Sequence, residues 1–399
     1  MSVAGRHRRP ARQALEKCLM NFRQRLLRLC TIGCGLLLIL SLGLAPRAAL
    51  AVIDPKIKTS LDAAKSRDAI AASVKERVAD LAGADPAKRS AARDGLITEI
   101  NLPNVSTEFL DTYAQELNNQ LKPLVDPTQP DVKIRLNAAI VVAKVAEKSN
   151  TARFAEITDI LLKDKSDAVV NWGLKASRYV LPPVLAAGLP QAKALIKSIR
   201  AKVGDPVLLP LVYDALSIDF QNNRQSPQFP KMVAGAVPEM IAVLRERVDL
   251  ICKQVPPDAT VDVAGMNFLV ATSVWKQQTP PQQLETAQLL SDYIGVAGQR
   301  GAMSTGTDRE QMTKAVQNAS NAIGATFVIA GQPIPPAIQQ LMKLDPNNPS
   351  YAQMVGAAYP ALKAVTAWKD LKAPPKCEGA NPATVPAAGA PAAPPPAAK

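Results

Sequence analysis

One stretch of this chain is apolar around almost its whole helical circumference, which limits the folds it can adopt. It covers residues 130–147 and includes Val132, Ile134, Leu136, Ala138, Ala139, Ile140, Val141, Val142 and Val145. A helix with this pattern must be covered by neighbours on several sides. The next helical segment, residues 151–164, is amphipathic, with Phe154, Ile157 and Leu161 on one stripe. The two segments are therefore expected to pack together as a helical hairpin.

The same arrangement recurs along the chain. A second pair is predicted at residues 167–180 and 190–203, and a third unit begins at Asp205. The opening acids Asp131, Asp167 and Asp205 are 36 and 38 residues apart, and periods of this length are typical of stacked helical hairpins. Alternation typical of strands is absent, and helix N-caps are clear at Asp85, before Pro86, and at Ser106. The predicted fold class is all-α.

One of these units also resembles a known repeat family. The segment 131–139 has an acid, an aliphatic residue three positions on, Arg135 and paired alanines. It is similar to the inner-helix signature of HEAT repeats. The unit at Asp167 keeps the acid and the aliphatic residue but has Asn171 in the arginine position, and the unit at Asp205 keeps less. The resemblance implies a HEAT-like α-solenoid, an architecture that generally serves as a binding scaffold.

The first 51 residues are expected to form a signal peptide. A basic stretch leads into the apolar run 29–44, and a small-x-small pattern then predicts cleavage between Ala51 and Val52. Translation from Met1 or from Met20 fits this pattern. The apolar run is only marginally long for a membrane span, so an N-terminally anchored protein is the alternative. We expect export to the periplasm, the envelope or the extracellular space.

Composition narrows the chemistry. The only histidine, His7, lies in the leader, so the mature chain has no imidazole to act as a general base or metal ligand. The leader also carries +8 of the formal net charge of +13, and aromatic residues make up only 4% of the chain. Nucleic-acid binding is therefore not expected. We predict no cofactor and no metal, and a protein or an envelope component as partner; a membrane is expected as partner only if the leader stays uncleaved.

Three local motifs need separate consideration. Ser273 and Lys276 match the S-x-x-K pattern of a serine hydrolase, although the companion motifs are missing. Lys193, Lys197 and Arg200 fall on one helical face, which is either a contact for an anionic partner or an ordinary solvated surface. The glycine-rich residues 295–306 are interpreted as a flexible loop between helices. Most Trp and Tyr residues are expected in the core.

The cysteines and the C-terminus complete the predicted organisation. Cys252 and Cys377 are the only cysteines after the leader, and they form either one disulfide or a buried and a free thiol. Residues 373–399 are rich in Pro and Ala and are predicted to be a disordered tail. The expected regions are a signal peptide (1–51), an N-terminal helical region (52–130), HEAT-like repeats (131–232), a C-terminal irregular solenoid or bundle (233–372) and the tail.

These features together predict an exported, non-catalytic helical scaffold. Two alternatives remain open from the sequence. One is an exported hydrolase that uses Ser273 with Lys276 as its base, and the other is a structural envelope protein whose tail acts as a spacer. The oligomeric state is not specified by the sequence.

Overall fold

The computed structural model describes residues 52–377, and within this range the chain is helical, with no β-strand. The N-terminal half contains α1 (Pro55–Thr59), α2 (Arg67–Ala82), α3 (Pro86–Thr98), α4 (Thr107–Leu121), α5 (Val132–Ser149), α6 (Ala155–Leu162), α7 (Asp167–Ala186), α8 (Gln191–Arg200) and α9 (Leu209–Leu216). The remainder contains α10 (Phe220–Asn223), α11 (Phe229–Cys252), α12 (Ala259–Val270), α13 (Thr272–Trp275), α14 (Pro280–Met303), α15 (Gly306–Ile329), α16 (Pro336–Leu341) and α17 (Tyr351–Lys363). The all-α prediction is confirmed.

Several of these helices begin at the N-caps predicted from the sequence. The carboxylate of Asp85 accepts the backbone N–H groups of Ala87 and Lys88, and Pro86 occupies the first helical position of α3. Ser106 caps α4 and Asp131 caps α5 in the same way. Each cap satisfies backbone donors that have no partner within the helix, and this fixes where the helix starts.

The longer helices fall into two sets by their contacts, and we call each set a row. In one row α3, α5, α7, α9, α12 and α15 contact one another in succession. In the other row α2 contacts α4, α6 contacts α8, and α11 contacts α14, which in turn contacts α17. Contacts between the rows join each helix to its neighbour in sequence, as in α6 with α7 and α14 with α15. Residues 53–377 form one compact unit with a continuous apolar core.

A buried carboxylate joins four of these helices. Asp262 of α12 is fully buried and accepts hydrogen bonds from the hydroxyl groups of Tyr213 (2.8 Å) and Tyr293 (2.6 Å). The guanidinium of Arg247 on α11 pairs with the same carboxylate at 3.1 Å. Burial raises the pKa of Asp262, and it raises the pKa of both tyrosines well above the usual range. The two hydroxyl groups and the guanidinium thus share one carboxylate inside the core.

Three sequence predictions are wrong in position. The break between helices expected at residues 181–190 is shorter than predicted, because α7 continues through Pro182 and Pro183 to Ala186. The third unit does not start its helix at Asp205, whose side chain caps a turn, and α9 begins only at Leu209. The predicted domain boundary at residues 232/233 falls inside α11, which is continuous across it.

The glycine-rich segment is also different from its prediction. Residues 295–303 belong to the buried helix α14, and only residues 304 and 305 separate it from α15. A Cβ on Gly298 would lie 2.2 Å from Val355, and a Cβ on Gly301 would lie 2.3 Å from the hydroxyl of Tyr351. These glycines are positions where α17 approaches α14 closely, so they serve packing rather than loop flexibility.

The predicted disordered tail does not begin at residue 373. The chain at residues 371–377 is extended along α14, where the side chain of Gln288 exchanges two hydrogen bonds with the backbone of Lys372. Gln299 holds the backbone of Pro375 and Cys377 in the same manner, and Gly295 leaves the space that Pro374 fills. We call residues 371–377 the C-terminal strap. The rest of the predicted tail lies outside the described residues.

Candidate binding groove

A groove on the surface crosses three successive helices of the first row. Its volume is about 240 Å³, and α5, α7 and α9 all contribute side chains. The lining residues are Ala143, Lys144, Glu147, Trp172, Leu174, Lys175, Arg178, Tyr179, Leu211 and Asp214. These helices belong to the region predicted to hold the repeats. One helix of each of the three predicted units therefore lines the groove.

The amphipathic pattern of α7 places three of its larger polar and aromatic side chains in this groove. Val170, Leu174 and Ser177 are buried on one side of the helix. The close approach of α6 requires Gly173, because a Cβ there would lie 3.0 Å from the Cβ of Leu161. With that side fixed in the core, Trp172, Lys175 and Tyr179 remain half-buried on the opposite side. They occupy positions i, i+3 and i+7, which share one helical face.

Cations lie over both aromatic rings. The Lys175 ammonium is 4.3 Å from the centroid of the Trp172 ring, and the Arg178 guanidinium is 5.5 Å from that of Tyr179. Such contacts stabilise by about 0.5–1 kcal/mol at exposed sites and hold the side chains in defined positions. The groove therefore presents ordered aromatic surfaces with positive charge beside them.

The charges that line the groove are not all compensated. Lys144 pairs with Glu147 at 2.9 Å, and Arg178 pairs with Asp214 at 3.1 Å and with Asp219 at 3.0 Å. Lys175 forms no ion pair with any residue in the described range 52–377. It is thus the lining charge that remains available to a ligand.

Tyr179 is a hydrogen-bond donor at neutral pH. Burial is the main cause that raises the pKa of its hydroxyl, and the carboxylates of Glu147, Asp219 and Asp214 raise it further against the opposing effect of Arg178. Within the part of the chain that the structure describes, neither this hydroxyl nor the indole N–H of Trp172 donates a hydrogen bond. Both residues line the groove and are half-buried.

The S-x-x-K residues lie away from this groove. Ser273 is half-buried in the single-turn helix α13, and Lys276 is exposed immediately after that helix ends. Among residues 52–377 no hydrogen bond joins the two side chains. The two side chains are therefore not hydrogen-bonded to each other, as a mechanism with Lys276 as the base of Ser273 would require.

The basic stripe on α8 lies on the surface as expected from its spacing. Lys193 and Lys197 are exposed, and in the described range neither forms an ion pair. Arg200 differs, because it pairs with Glu239 of α11 at 3.2 Å. Two of the three stripe charges are thus available to an anionic partner, while the third is partly neutralised within the fold.

Cys377 and the predicted cleavage site lie at the two ends of the described region, whereas Cys252 lies within it. Cys252 and Cys377 are joined in a disulfide, with their Cα atoms 5.0 Å apart, so the bridge anchors the C-terminal strap to the end of α11. Val52 is exposed and is followed by the buried Ile53. Ala51 lies outside the described residues.

Across residues 52–377 no group of three or more potential ligands gathers in the geometry of a metal site. No helix in that same range is both long enough and apolar enough to cross a bilayer.

Comparison of the chain with protein-family models, curated proteins and solved structures finds no match. The groove itself is therefore the feature from which a function can be proposed. Sequence reasoning assigned most aromatic residues to the core, which is where Tyr113, Tyr213, Tyr293 and Tyr351 are found. Trp172, Tyr179 and Tyr359 are the exceptions, since each is half-buried. The signal that could identify Trp172 and Tyr179 is their i, i+7 spacing around Lys175, opposite the stripe of buried aliphatic residues.

Proposed function

We propose that this protein is an exported, non-catalytic α-helical repeat scaffold that binds a protein or a cell-envelope component through the groove of α5, α7 and α9. The observation that carries the proposal is the set of groups on α7. Trp172, Lys175 and Tyr179 together offer aromatic surface, an uncompensated cation and two free donors in one concave place. Binding sites typically combine an apolar surface with a few polar groups of this kind.

A HEAT-like stacking of hairpins is part of the proposal. Its support is the succession of helix contacts from α3 to α15 along the first row, together with ion pairs within and between neighbouring units. Arg89 of α3 pairs with Asp131 at 3.2 Å, and Arg135 of α5 pairs with Asp164 at 2.7 Å. Arg178 of α7 continues the series with Asp219. Stacked repeats bury a shared core and leave extended faces available for binding.

Export is proposed from two separate features. The leader has the basic, apolar and small-residue order of a signal peptide. The Cys252–Cys377 disulfide is of the kind that persists in oxidising compartments such as the periplasm or the extracellular space. A protein or envelope component that meets the chain in such a compartment is the expected partner.

The test is affinity capture from envelope extract with the wild-type chain from residue 52 and with the double variant Trp172→Ala, Tyr179→Ala. We expect the variant to lose the captured component, because two aromatic anchors are removed from the groove. Lys314→Ala on the exposed surface of α15 is the matched control and should capture normally. Equal capture by all three proteins would contradict a role for the groove.

The same preparation tests the hydrolase alternative. Treatment with a serine-reactive acylating probe, followed by peptide mapping, should leave Ser273 unmodified if the protein is a non-catalytic scaffold. Specific acylation of Ser273 that is lost in Lys276→Ala would support the Ser–Lys hydrolase instead.

A further inference from the structure

The groove on α7 contains an imbalance of charge and of hydrogen-bond donors. Glu147 and Asp214 are its acidic residues, and both are already paired with Lys144 and Arg178. Lys175 has a ring and no carboxylate beside it in the described region. What the site lacks is therefore a negative group, and a ligand that supplies one satisfies a charge that the fold leaves unsatisfied.

The neutral groups point to the same chemistry. The indole N–H of Trp172 and the hydroxyl of Tyr179 lie on the same helical face as Lys175. All three are donors, so they favour an acceptor-rich ligand. Leu211 and the two rings supply apolar surface next to these donors. A carboxylate with an adjacent hydrophobic side chain is complementary to both properties.

The size of the groove indicates how much of the ligand it holds. Sites that enclose a drug-sized molecule measure about 300–1,000 Å³. This groove has about 240 Å³ and is open along three helices. It therefore suits one or two side chains of a chain that continues across the surface, rather than an enclosed small molecule.

We propose that the groove recognises an acidic, hydrophobic segment of a partner protein, in which an Asp or Glu carboxylate binds Lys175 and a neighbouring aromatic or aliphatic side chain packs against Trp172 and Tyr179. This inference rests on the proposed scaffold function and specifies its partner. A neutral sugar polymer of the envelope would also stack on Trp172, but it has no negative charge to pair with the uncompensated ammonium of Lys175.

The experiment is selection of a phage-displayed library of random twelve-residue peptides on the chain from residue 52, with the disulfide intact. We expect the selected peptides to be enriched several-fold in Asp and Glu adjacent to Phe, Leu or Trp. Selection on Lys175→Glu should lose that enrichment, whereas selection on Lys314→Glu, which reverses an exposed and unpaired lysine of α15, should retain it.

Affinities then give the contribution of the single charge. For a selected peptide labelled with fluorescein, Lys175→Met should weaken binding about tenfold, because a charge-assisted hydrogen bond is lost while the apolar stem remains. Replacement of Glu by Gln in the peptide should weaken binding to the wild-type protein similarly and should have little further effect on Lys175→Met. Unchanged circular dichroism and urea midpoints verify that the variants are folded.

The outcomes separate this inference from the proposed function. If the double variant Trp172→Ala, Tyr179→Ala loses its envelope partner but Lys175→Glu keeps it, the groove is functional and the acidic segment is wrong. Peptides without acidic enrichment, or a neutral oligosaccharide that competes with them equally on Lys175→Glu, would also overturn the inference. Loss of neither partner nor peptide in any groove variant would refute both proposals.

Discussion

Replacing Asp262 with alanine should lower the free energy of unfolding by about 4 kcal/mol, because one carboxylate joins four helices inside the core. Its partners are Tyr213 of α9, Arg247 of α11 and Tyr293 of α14. The substitution removes the acceptor for all three at once. Solvent does not reach the intact cluster, since Asp262 and Tyr293 are 0% exposed and Arg247 is 7% exposed.

The magnitude follows from the groups left behind. A buried guanidinium without its carboxylate costs about 3–5 kcal/mol. Each tyrosine hydroxyl that loses its acceptor costs about 1–3 kcal/mol when it stays unsatisfied. These costs are not additive, because the groups share one cavity and water can enter it once the side chain is gone. The estimate of about 4 kcal/mol is therefore close to the cost of the unpaired charge alone.

The assay is urea unfolding followed by circular dichroism, at a pH near 7 and with the disulfide oxidised. Asp249→Ala provides a matched control, because this carboxylate is exposed on the same helix as Arg247. Substitutions at such surface positions usually change stability by less than about 0.5 kcal/mol. The control should unfold with the wild-type midpoint while Asp262→Ala unfolds at a clearly lower urea concentration.

A further variant tests whether the unpaired polar groups cause the loss of stability. If unpaired polar groups cause the loss, replacing the whole cluster by apolar residues of similar size should recover much of it. The combination Asp262→Leu, Arg247→Met, Tyr213→Phe and Tyr293→Phe removes every polar partner. A loss below about 1 kcal/mol for Asp262→Ala, or a quadruple variant less stable than the single one, would refute this account of the core.

Other substitutions have equally definite expectations. Gly298→Ala should lower the free energy of unfolding by about 1–3 kcal/mol through overpacking, since its Cβ would be 2.2 Å from a side chain of α17. Gly356→Ala has open space around it and should raise the free energy of unfolding by about 0.5–1 kcal/mol in the same urea assay. Reducing the Cys252–Cys377 disulfide, which spans 125 residues, should cost about 4–5 kcal/mol in the loop-entropy model, and an unchanged thermal midpoint after reduction would contradict this. Burial raises the pKa of Asp292 from 3.8 to about 6 despite a hydrogen bond from a glutamine, so ionisation costs the folded state stability as pH rises from about 4 to 6. Asp292→Asn should therefore be more stable than wild type by about 1 kcal/mol at pH 7.5, a value reduced for solvent screening, and equal to it below pH 4, as measured by urea unfolding at both pH values.

Much of the helical organisation could be predicted because local signals determine it. Asp85, Ser106 and Asp131 satisfy backbone donors at helix starts, and these bonds form within four residues of sequence. The apolar pattern likewise indicated which helices need covering. Such features depend on neighbours along the chain, which the sequence displays directly.

The errors arise where contacts between distant segments override the local preference. Pro182 and Pro183 predicted a break, yet burial of Pro182 and Val184 in the core holds α7 in a helix to Ala186. Gly298 resembled a loop residue because its close contact, Val355, is 57 positions away. No local pattern distinguishes a glycine that provides flexibility from one that provides space.

The groove was only partly predictable for the same reason. The positions of Trp172, Lys175 and Tyr179 on one helical face follow from their spacing. Their exposure does not, because it depends on which side of α7 is covered by α6. The pairing of Arg178 with Asp214 and Asp219, which leaves Lys175 as the uncompensated cation, requires the position of the next unit.

The C-terminal strap has a mechanical consequence. If only its hydrogen bonds to Gln288 and Gln299 held the strap, tension applied at the C-terminus would break them one after another, starting from Cys377. The covalent bond to Cys252 lies at the end where the pull arrives, so the load passes directly into the 24-residue helix α11 and bypasses those weaker bonds. A chain held by its C-terminus would keep its folded body intact under forces that would strip an unbridged strap away.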